Sequence, residues 1–362
     1  MNAFPWAHRA APDRIVHLPE DCPLYVVSDV HLGDGSRSDA FVAKDREFLA
    51  FLEEVRREGI HLVIAGDIVD FPQAITFTRV LKAHGPVFHA LSQMAQEAGV
   101  TYIWGNHDID ISLYRDLLRW DVCSAVEVGD RLRVEHGHRY DPHIAGNEWQ
   151  AAWTTLLHHL LERVLGTWIR TPLAEFYTLA NRWLWWAAGR WTQVVGPVHH
   201  GLETLGLPGP GERYRAFLRY WLRTQVGDPM CIFSGVREQA LAHGPGILLT
   251  GHSHLPGVVE IAPGVQVANS GSWTFRSATV ARWDGRGVEV RDRLTGRVWD
   301  DILYRPLVEG RLDDLTFERW WTEEYMGWIR FRSGEARRRR LAWEPPWLLP
   351  PPTDPTPPEE RP

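Results

Sequence analysis

Five short segments of this chain gather the side chains that bind cations. They are Ser28-Asp29-Val30-His31-Leu32-Gly33-Asp34, Gly66-Asp67-Ile68-Val69-Asp70, Gly105-Asn106-His107-Asp108, His136-Gly137-His138 and Gly251-His252-Ser253-His254. Mixed carboxylate and imidazole donors suit borderline metals such as Mn, Fe, Co, Ni and Zn. Any one segment alone is weak, since a DxH or a GHxH is often no more than a polar turn. The information lies in the whole set and in its order.

These motifs need elements to carry them. Leu24–Ser28, His61–Ala65 and Thr101–Trp104 read as buried strands, and each runs directly into one of the polar segments. Between them, Asp39–Glu58 has apolar residues at helical spacing with Gly59 to end it, and about Arg79–Ala98 is helical as well. Strands alternating with helices predict βαβ units and a largely parallel sheet. In such sheets ligands bind beyond the carboxyl ends of the strands, which is where the motifs fall. Leu132–Glu135 reads as a hairpin strand leading to His136. Ile247–Thr250, Val258–Ile261, Val265–Ala268 and Ala278–Arg282 resume short β runs punctuated by Gly and Pro, as in antiparallel hairpins.

In this order the motifs resemble the calcineurin-like metallophosphoesterase superfamily, over roughly residues 22–145 and 245–275. The resemblance implies a four-layer α/β/β/α sandwich with a dinuclear metal site at one edge. Asp29, His31 and His254 would hold one ion; Asn106, His136 and His252 would hold the other; Asp67 would bridge them. The ions would be divalent or trivalent, Mn first, with Fe, Zn, Co or Ni as alternatives. Two ions in such a pair lower the pKa of a water, orient the phosphoryl oxygens and stabilise the leaving oxygen. His107 would not ligate; it would face the substrate as an acid or transition-state stabiliser, with Asp108 orienting it. His138 and Arg139 are candidates for substrate contact, although His138 reads equally well as a turn residue.

Other features have plainer readings. Asp70 is expected to cap the turn after Asp67 rather than to support the ligands. Asn269–Trp273 is expected to pack beneath the site. His158-His159 and His199-His200 are expected at the surface or in a core, not among the ligands.

The rest of the chain bounds the function. With 44% hydrophobic and 23% charged residues it reads as an ordinary globular protein. The net charge of −7 argues against specific nucleic-acid partners and weighs against a nuclease. Cys22, Cys123 and Cys231 show no CxxC spacing, so idle thiols in a reducing compartment are expected. Met1–Glu20 has no apolar stretch of a secretory signal, and no long apolar run predicts a membrane span. A cytoplasmic location follows, with peripheral membrane contact as a variant.

The expected organisation is a core in two parts, 1–146 and 226–303, interrupted by a helical insertion or lid at 147–225. A mixed extension, 304–344, and a Pro-rich tail, 345–362, follow. Of 19 Trp, eight lie between Trp149 and Trp221, so the insertion is either a packed subdomain or a lid with a greasy or membrane-facing surface. A lid there also resembles UDP-2,3-diacylglucosamine pyrophosphohydrolases of the same superfamily. Two departures stand against that branch: GNHD where it has GNRD, and His138 where it has the Asp of HGD. The expected activity is hydrolysis of a small or lipid-like phosphoester by a metal-activated water. A non-catalytic metal-binding scaffold is disfavoured because every ligand position is filled.

Overall fold

The computed structural model describes residues 13–141 except 37, 42 and 43, isolated positions between 144 and 207, residues 229–302 except 276, and 305–309. Nearly all of the expected insertion, 147–225, lies outside the described residues, as do the tail and all but a few positions of the extension.

Two six-stranded sheets form the centre. One contains β2 (Leu24–Val27), β3 (His61–Ala65), β4 (Val100–Ile103) and β5 (Asp121–Cys123), all parallel, and then antiparallel β11 (Thr279–Trp283) and β12 (Val288–Asp292), in the order β12-β11-β2-β3-β4-β5. The other contains β1 (Ile15–Leu18), β6 (Ala125–Val128), β7 (Leu132–Glu135), β8 (Gly246–Thr250), β9 (Gly257–Ala262) and β10 (Val265–Asn269), in the order β1-β6-β7-β8-β10-β9. The β9–β10 pair is antiparallel as expected, β11 pairs antiparallel with β12, a strand not expected from the sequence, and β8 runs parallel to both β7 and β10.

The sheets face each other through Leu24, Val26, Val63, Ala65 and Ile103 on one side and Val126, Val134, Leu249 and Ala268 on the other. On the outer face of the first sheet lie α1 (Asp45–Glu58) and α3 (Phe77–Glu97), while α5 (Pro229–His243) packs on β8 and β10 of the second. The result is the four-layer α/β/β/α sandwich.

The helices follow from local sequence. In α1, Phe48, Phe51, Leu52 and Val55 recur on one face and are buried, each worth about 1.5–3 kcal/mol. Acidic Asp45 and Glu47 open it and Arg56 and Arg57 close it, as the helix dipole favours. Gly59, at φ 65°, ends it with a left-handed cap. This helix starts at Asp45, not at the expected Asp39. Asp39 instead accepts backbone N–H bonds from Gly33, Gly35 and Phe41, a turn incompatible with helix. Helix α3 breaks its geometry at His84, two residues before Pro86, which has no N–H to continue the ladder. Three short helices, α2 (Phe71–Ala74), α4 (Arg115–Leu118) and α6 (Arg305–Val308), and two 3-10 turns, Ile109–Tyr114 and His138–Tyr140, lie among the other described elements. No helix among the described residues is long and apolar enough to cross a membrane.

Candidate metal centre

The segments beyond β2 and β3 do not separate where the sheet ends. Asp29 N–H donates to Gly66 O at 3.0 Å, His31 N–H to Asp67 O at 3.0 Å, Leu32 N–H to Ile68 O at 2.8 Å, and Asp70 N–H to Leu32 O at 3.0 Å. This continued ladder sets Asp29 and His31 beside Asp67 and Asp70. The third parallel strand adds its own loop, because His107 N–H donates to Asp67 Oδ1 at 2.8 Å. From the other sheet, Gly251 N–H donates to His136 O at 3.0 Å, joining the loops beyond β7 and β8. His252 N–H then crosses between sheets to Asp29 Oδ2 at 2.9 Å.

Holding so many donors together strains the chain. Of eight non-glycine residues with positive φ among those described, five are Asp29, His31, Asp67, His252 and His254. Left-handed backbone costs about 1–3 kcal/mol per residue and gathers where function over-determines the geometry. The motif glycines answer to crowding instead. A Cβ on Gly66 would overlap the His136 ring, one on Gly105 would overlap Asp67 Oδ1, and one on Gly251 would overlap Ser28 and Asp29.

Two donor groups form. Asp29, His31 and His254 make one, and Asp67, His136 and His252 the other. Asp67 Oδ2 lies 3.3 Å from His136 Nε2 and 4.0 Å from His31 Nε2, between the two groups. Asn106 Oδ1 stands 3.1 Å from His136 Nε2. All seven residues expected as ligands are therefore neighbours in space.

The surrounding hydrogen bonds leave particular atoms over. Nδ1 of His136 donates to Ala65 O at 2.8 Å, which turns its Nε2 toward Asp67 and Asn106. Asp29 Oδ2 is taken by the Ser28 hydroxyl and by His252 N–H. Its Oδ1 faces His254 Nε2 at 3.1 Å without a well-formed hydrogen bond. Nε2 of His31, 3.9 Å from that oxygen, also has no hydrogen-bond partner, and both atoms are buried. Buried polar atoms are almost always satisfied. A carboxylate oxygen and an imidazole nitrogen left over and facing each other fit a cation between them.

The charges point the same way. Burial opposes ionisation of Asp67, but His136, His107 and His31 outweigh it and hold the carboxyl well below its usual range. Burial also opposes a charged His136, yet Asp67 and Asp29 push its pKa up to about 10. Two buried anions thus demand positive charge at this spot, and a metal ion would satisfy them where a proton otherwise must.

Asp70 does more than cap. Oδ1 accepts from Gln73 N–H at 3.2 Å at the start of α2, and it also lies 3.0 Å from His107 Nδ1. Oδ2 lies 3.4 Å from His31 Nδ1. Burial acts against the ionised carboxyl, but His159 and then His107 hold it well below the normal range. As an anion it can only accept, so His107 carries a proton on Nδ1 and turns Nε2 the other way. His31, Asp70 and His107 also group as potential donors, and these hydrogen bonds account for that grouping.

Asp108 departs from its expected place. Its oxygens accept from Ile68 N–H at 2.7 Å, Gly105 N–H at 2.8 Å and the Tyr102 hydroxyl. It ties the loops together from below, and Asp70 takes the position beside His107. Burial and the charge of Asp67 raise the Asp108 pKa to about 6, against the hydrogen bonds that lower it.

His138 and Arg139 sit at the rim. The His138 ring is 5.2 Å from His136 and 5.1 Å from Trp104. Arg139 stacks over Trp104 and pairs with Asp13 at 3.0 Å. Asn269–Trp273 runs directly behind Asp29: Trp273 N–H donates to Asp29 O at 3.0 Å, and Trp273 is fully buried.

Two residues near the site carried no sequence signal. Asp141 Oδ2 lies 3.1 Å from His252 Nε2. His159, expected at a surface or in a core, is buried against Asp70 at 3.4 Å. His158, His199 and His200 lie outside the described residues.

The family model described as calcineurin-like phosphoesterase matches residues 22–256. A search of curated proteins gives no match. Among solved structures, a dimetal phosphatase from Danio rerio is 14% identical, with 77% of this chain and 99% of that one covered and a TM-score of 0.36. A cold-active protein-tyrosine phosphatase from a psychrophilic Shewanella is 13% identical, with 82% and 84% covered and a TM-score of 0.32.

Proposed function

This chain belongs to the calcineurin-like phosphoesterase family and is a metal-dependent phosphoric ester hydrolase, and from that premise we propose how its own residues divide the work. Asp29, His31 and His254 would hold one ion and Asn106, His136 and His252 the other, with Asp67 shared by both groups. Such a pair would supply Lewis-acid chemistry toward the phosphoryl oxygens and a water of lowered pKa. The mixed nitrogen and oxygen donors suit Mn, with Fe, Zn, Co and Ni accommodated by the same chemistry.

The observation that carries this reading is Asp67 Oδ2 lying between His31 Nε2 and His136 Nε2. The protein prepares each donor beforehand. Ala65 O fixes the His136 tautomer, and the Ser28 hydroxyl and His252 N–H fix Asp29 so that Oδ1 faces inward. His107, held through Nδ1 by Asp70, presents Nε2 to the leaving oxygen; as the doubly protonated imidazolium that the Asp70 anion stabilises, it gives up the Nε2 proton and keeps the one on Nδ1.

The substrate we infer is a small or lipid-like phosphoester. In support, Trp153, Leu157 and Leu160 of the 147–225 segment are more than half exposed, and the rest of that segment is rich in Trp. The net charge of −7 disfavours a nucleic-acid substrate.

The test is a turnover screen with Mn²⁺ on p-nitrophenyl phosphate, bis-p-nitrophenyl phosphate and a UDP-linked acyl sugar, with Asp67→Asn as the blank. Activity should vanish in the blank, and its survival there would sink the two-metal assignment. Preference for the acyl sugar supports the lipid-like substrate, and preference for the aryl esters removes it.

A further inference from the structure

His159 belongs to the 147–225 segment, which carries none of the cation-binding motifs, and it follows His136 by a stretch of chain with no catalytic signature. Its side chain is nevertheless buried, with Nε2 3.4 Å from Asp70 Oδ1. That same oxygen lies 3.0 Å from His107 Nδ1. We propose that His159 is a positioning residue for phosphoester cleavage: by donating its Nε2–H to Asp70 Oδ1, it holds that carboxylate in the orientation that aims His107 at the leaving group. The inference rests on the reading of His107 as the acid.

The geometry of the carboxylate supports this role. A carboxylate offers about four acceptor positions. Around Asp70 stand four donors, unevenly shared: Gln73 N–H at 3.2 Å, His107 Nδ1 at 3.0 Å and His159 Nε2 at 3.4 Å on Oδ1, and His31 Nδ1 at 3.4 Å on Oδ2. Rotation of an Asp carboxylate about its last bond is soft, so its plane is set by the donors around it. Gln73 and His31 come from the core, whereas His159 is supplied by the segment between the HGH and GHxH motifs. Removing it takes away one of the three donors that fix Oδ1, and the carboxylate plane is then freer to turn away from His107.

The acid is correctly aimed only when His159 is in place, so a residue outside the motif set takes part in catalysis.

The experiment compares wild type, His159→Phe, His159→Gln and His107→Ala with Mn²⁺ present. Two aryl phosphoesters differing only in leaving group are used, p-nitrophenyl and phenyl, and the metal content of each protein is measured. Phenolate needs a proton on leaving far more than p-nitrophenolate does. His159→Phe should lower kcat for the phenyl ester by about 10-fold, a part of the roughly 10²–10⁴-fold that an acid supplies. The p-nitrophenyl ester should be nearly unaffected, and KM and metal content should not change. His159→Gln keeps an N–H near the position of Nε2 and should restore most of the rate.

Equal losses on both esters, a loss confined to KM, loss of metal, or no rescue by Gln would each overturn the proposal. His107→Ala separates the two levels. Leaving-group sensitivity in His107→Ala but not in His159→Phe overturns this inference alone. Its absence in both removes His107 as the acid and this inference with it.

Discussion

Asp70 Oδ1 and His107 Nδ1 meet at 3.0 Å, and the meeting decides which nitrogen of His107 can serve chemistry. An ionised carboxylate accepts only, so one ring proton stays on Nδ1, and the proton given to the leaving group is the second, on the outward-facing Nε2 of the charged ring. In Asp70→Asn no anion stabilises that doubly protonated ring. We expect kcat on a phenyl ester to fall by roughly 10- to 100-fold, within the range of a general acid, with KM little changed. Steady-state kinetics decide it; an unchanged kcat would reduce Asp70 to a helix cap.

Asp141 makes a comparable contact with a proposed ligand, its Oδ2 lying 3.1 Å from His252 Nε2. Carboxylates behind metal-binding histidines fix ring orientation and raise basicity, and their loss typically costs 10–100-fold in metal affinity. Asp141→Asn should weaken binding of one ion of the pair by about that factor. Competition with a metallochromic chelator measures it, and two affinities identical to wild type would remove Asp141 from the site.

Two glycines with different surroundings predict different damage. A Cβ on Gly105 would overlap Asp67 Oδ1, so Gly105→Ala should displace the bridging carboxylate and abolish metal binding and turnover. Gly59 sits at φ 65° with nothing within 4 Å of a Cβ. Gly59→Ala should cost about 1–2 kcal/mol of stability from backbone strain alone and leave kcat intact. Urea melts and kinetics on both variants test the contrast.

His84 predicts a pH dependence away from the metal centre. Burial opposes its charge, but hydrogen bonds from the ring to Asp39 at 3.1 Å and Asp45 at 2.7 Å raise its pKa to about 9. A pKa raised above an unfolded value near 6.5 means stability that is complete below about pH 6.5 and lost as pH rises through about 9. The contribution is roughly 3 kcal/mol at most, since each tenfold gain in proton affinity on folding is worth about 1.4 kcal/mol. Urea unfolding of wild type and His84→Asn at pH 6, 8 and 10 should show a gap that narrows at the alkaline end. A constant gap would mean that His84 is neutral in the fold.

The donors were legible in the sequence because their chemistry tolerates few residue types and because the glycines among them are imposed by crowding. Gly66, Gly105 and Gly251 recur for a steric reason that leaves a visible pattern. The strands before them were legible as short apolar runs. The edge strand Ile15–Leu18 was not, since it alternates only weakly between exposed and half-buried positions. Asp39 looked helical by its neighbours' spacing, and only its bonds to Gly33 and Gly35 show that it closes a turn. Asp141 and His159 were invisible for another reason. Each matters through one contact with a residue distant in the chain, and a single Asp or His carries no spacing to betray it. The reassignment from Asp108 to Asp70 has the same origin: adjacency along the chain suggested one partner, and the folded loops supplied another.

The parallel pairing of β7 with β8 has a consequence for how this protein can vary. The long stretch of chain between them leaves one strand and returns to its immediate neighbour, and a hydrogen bond from Gly251 N–H to His136 O closes the gap between the two strand ends. The two strand ends therefore act as a socket. Segments of different length or texture could be exchanged there without moving a donor atom, provided that they keep Asp141 and His159, so selectivity could be rewritten while the hydrolytic machinery stays fixed.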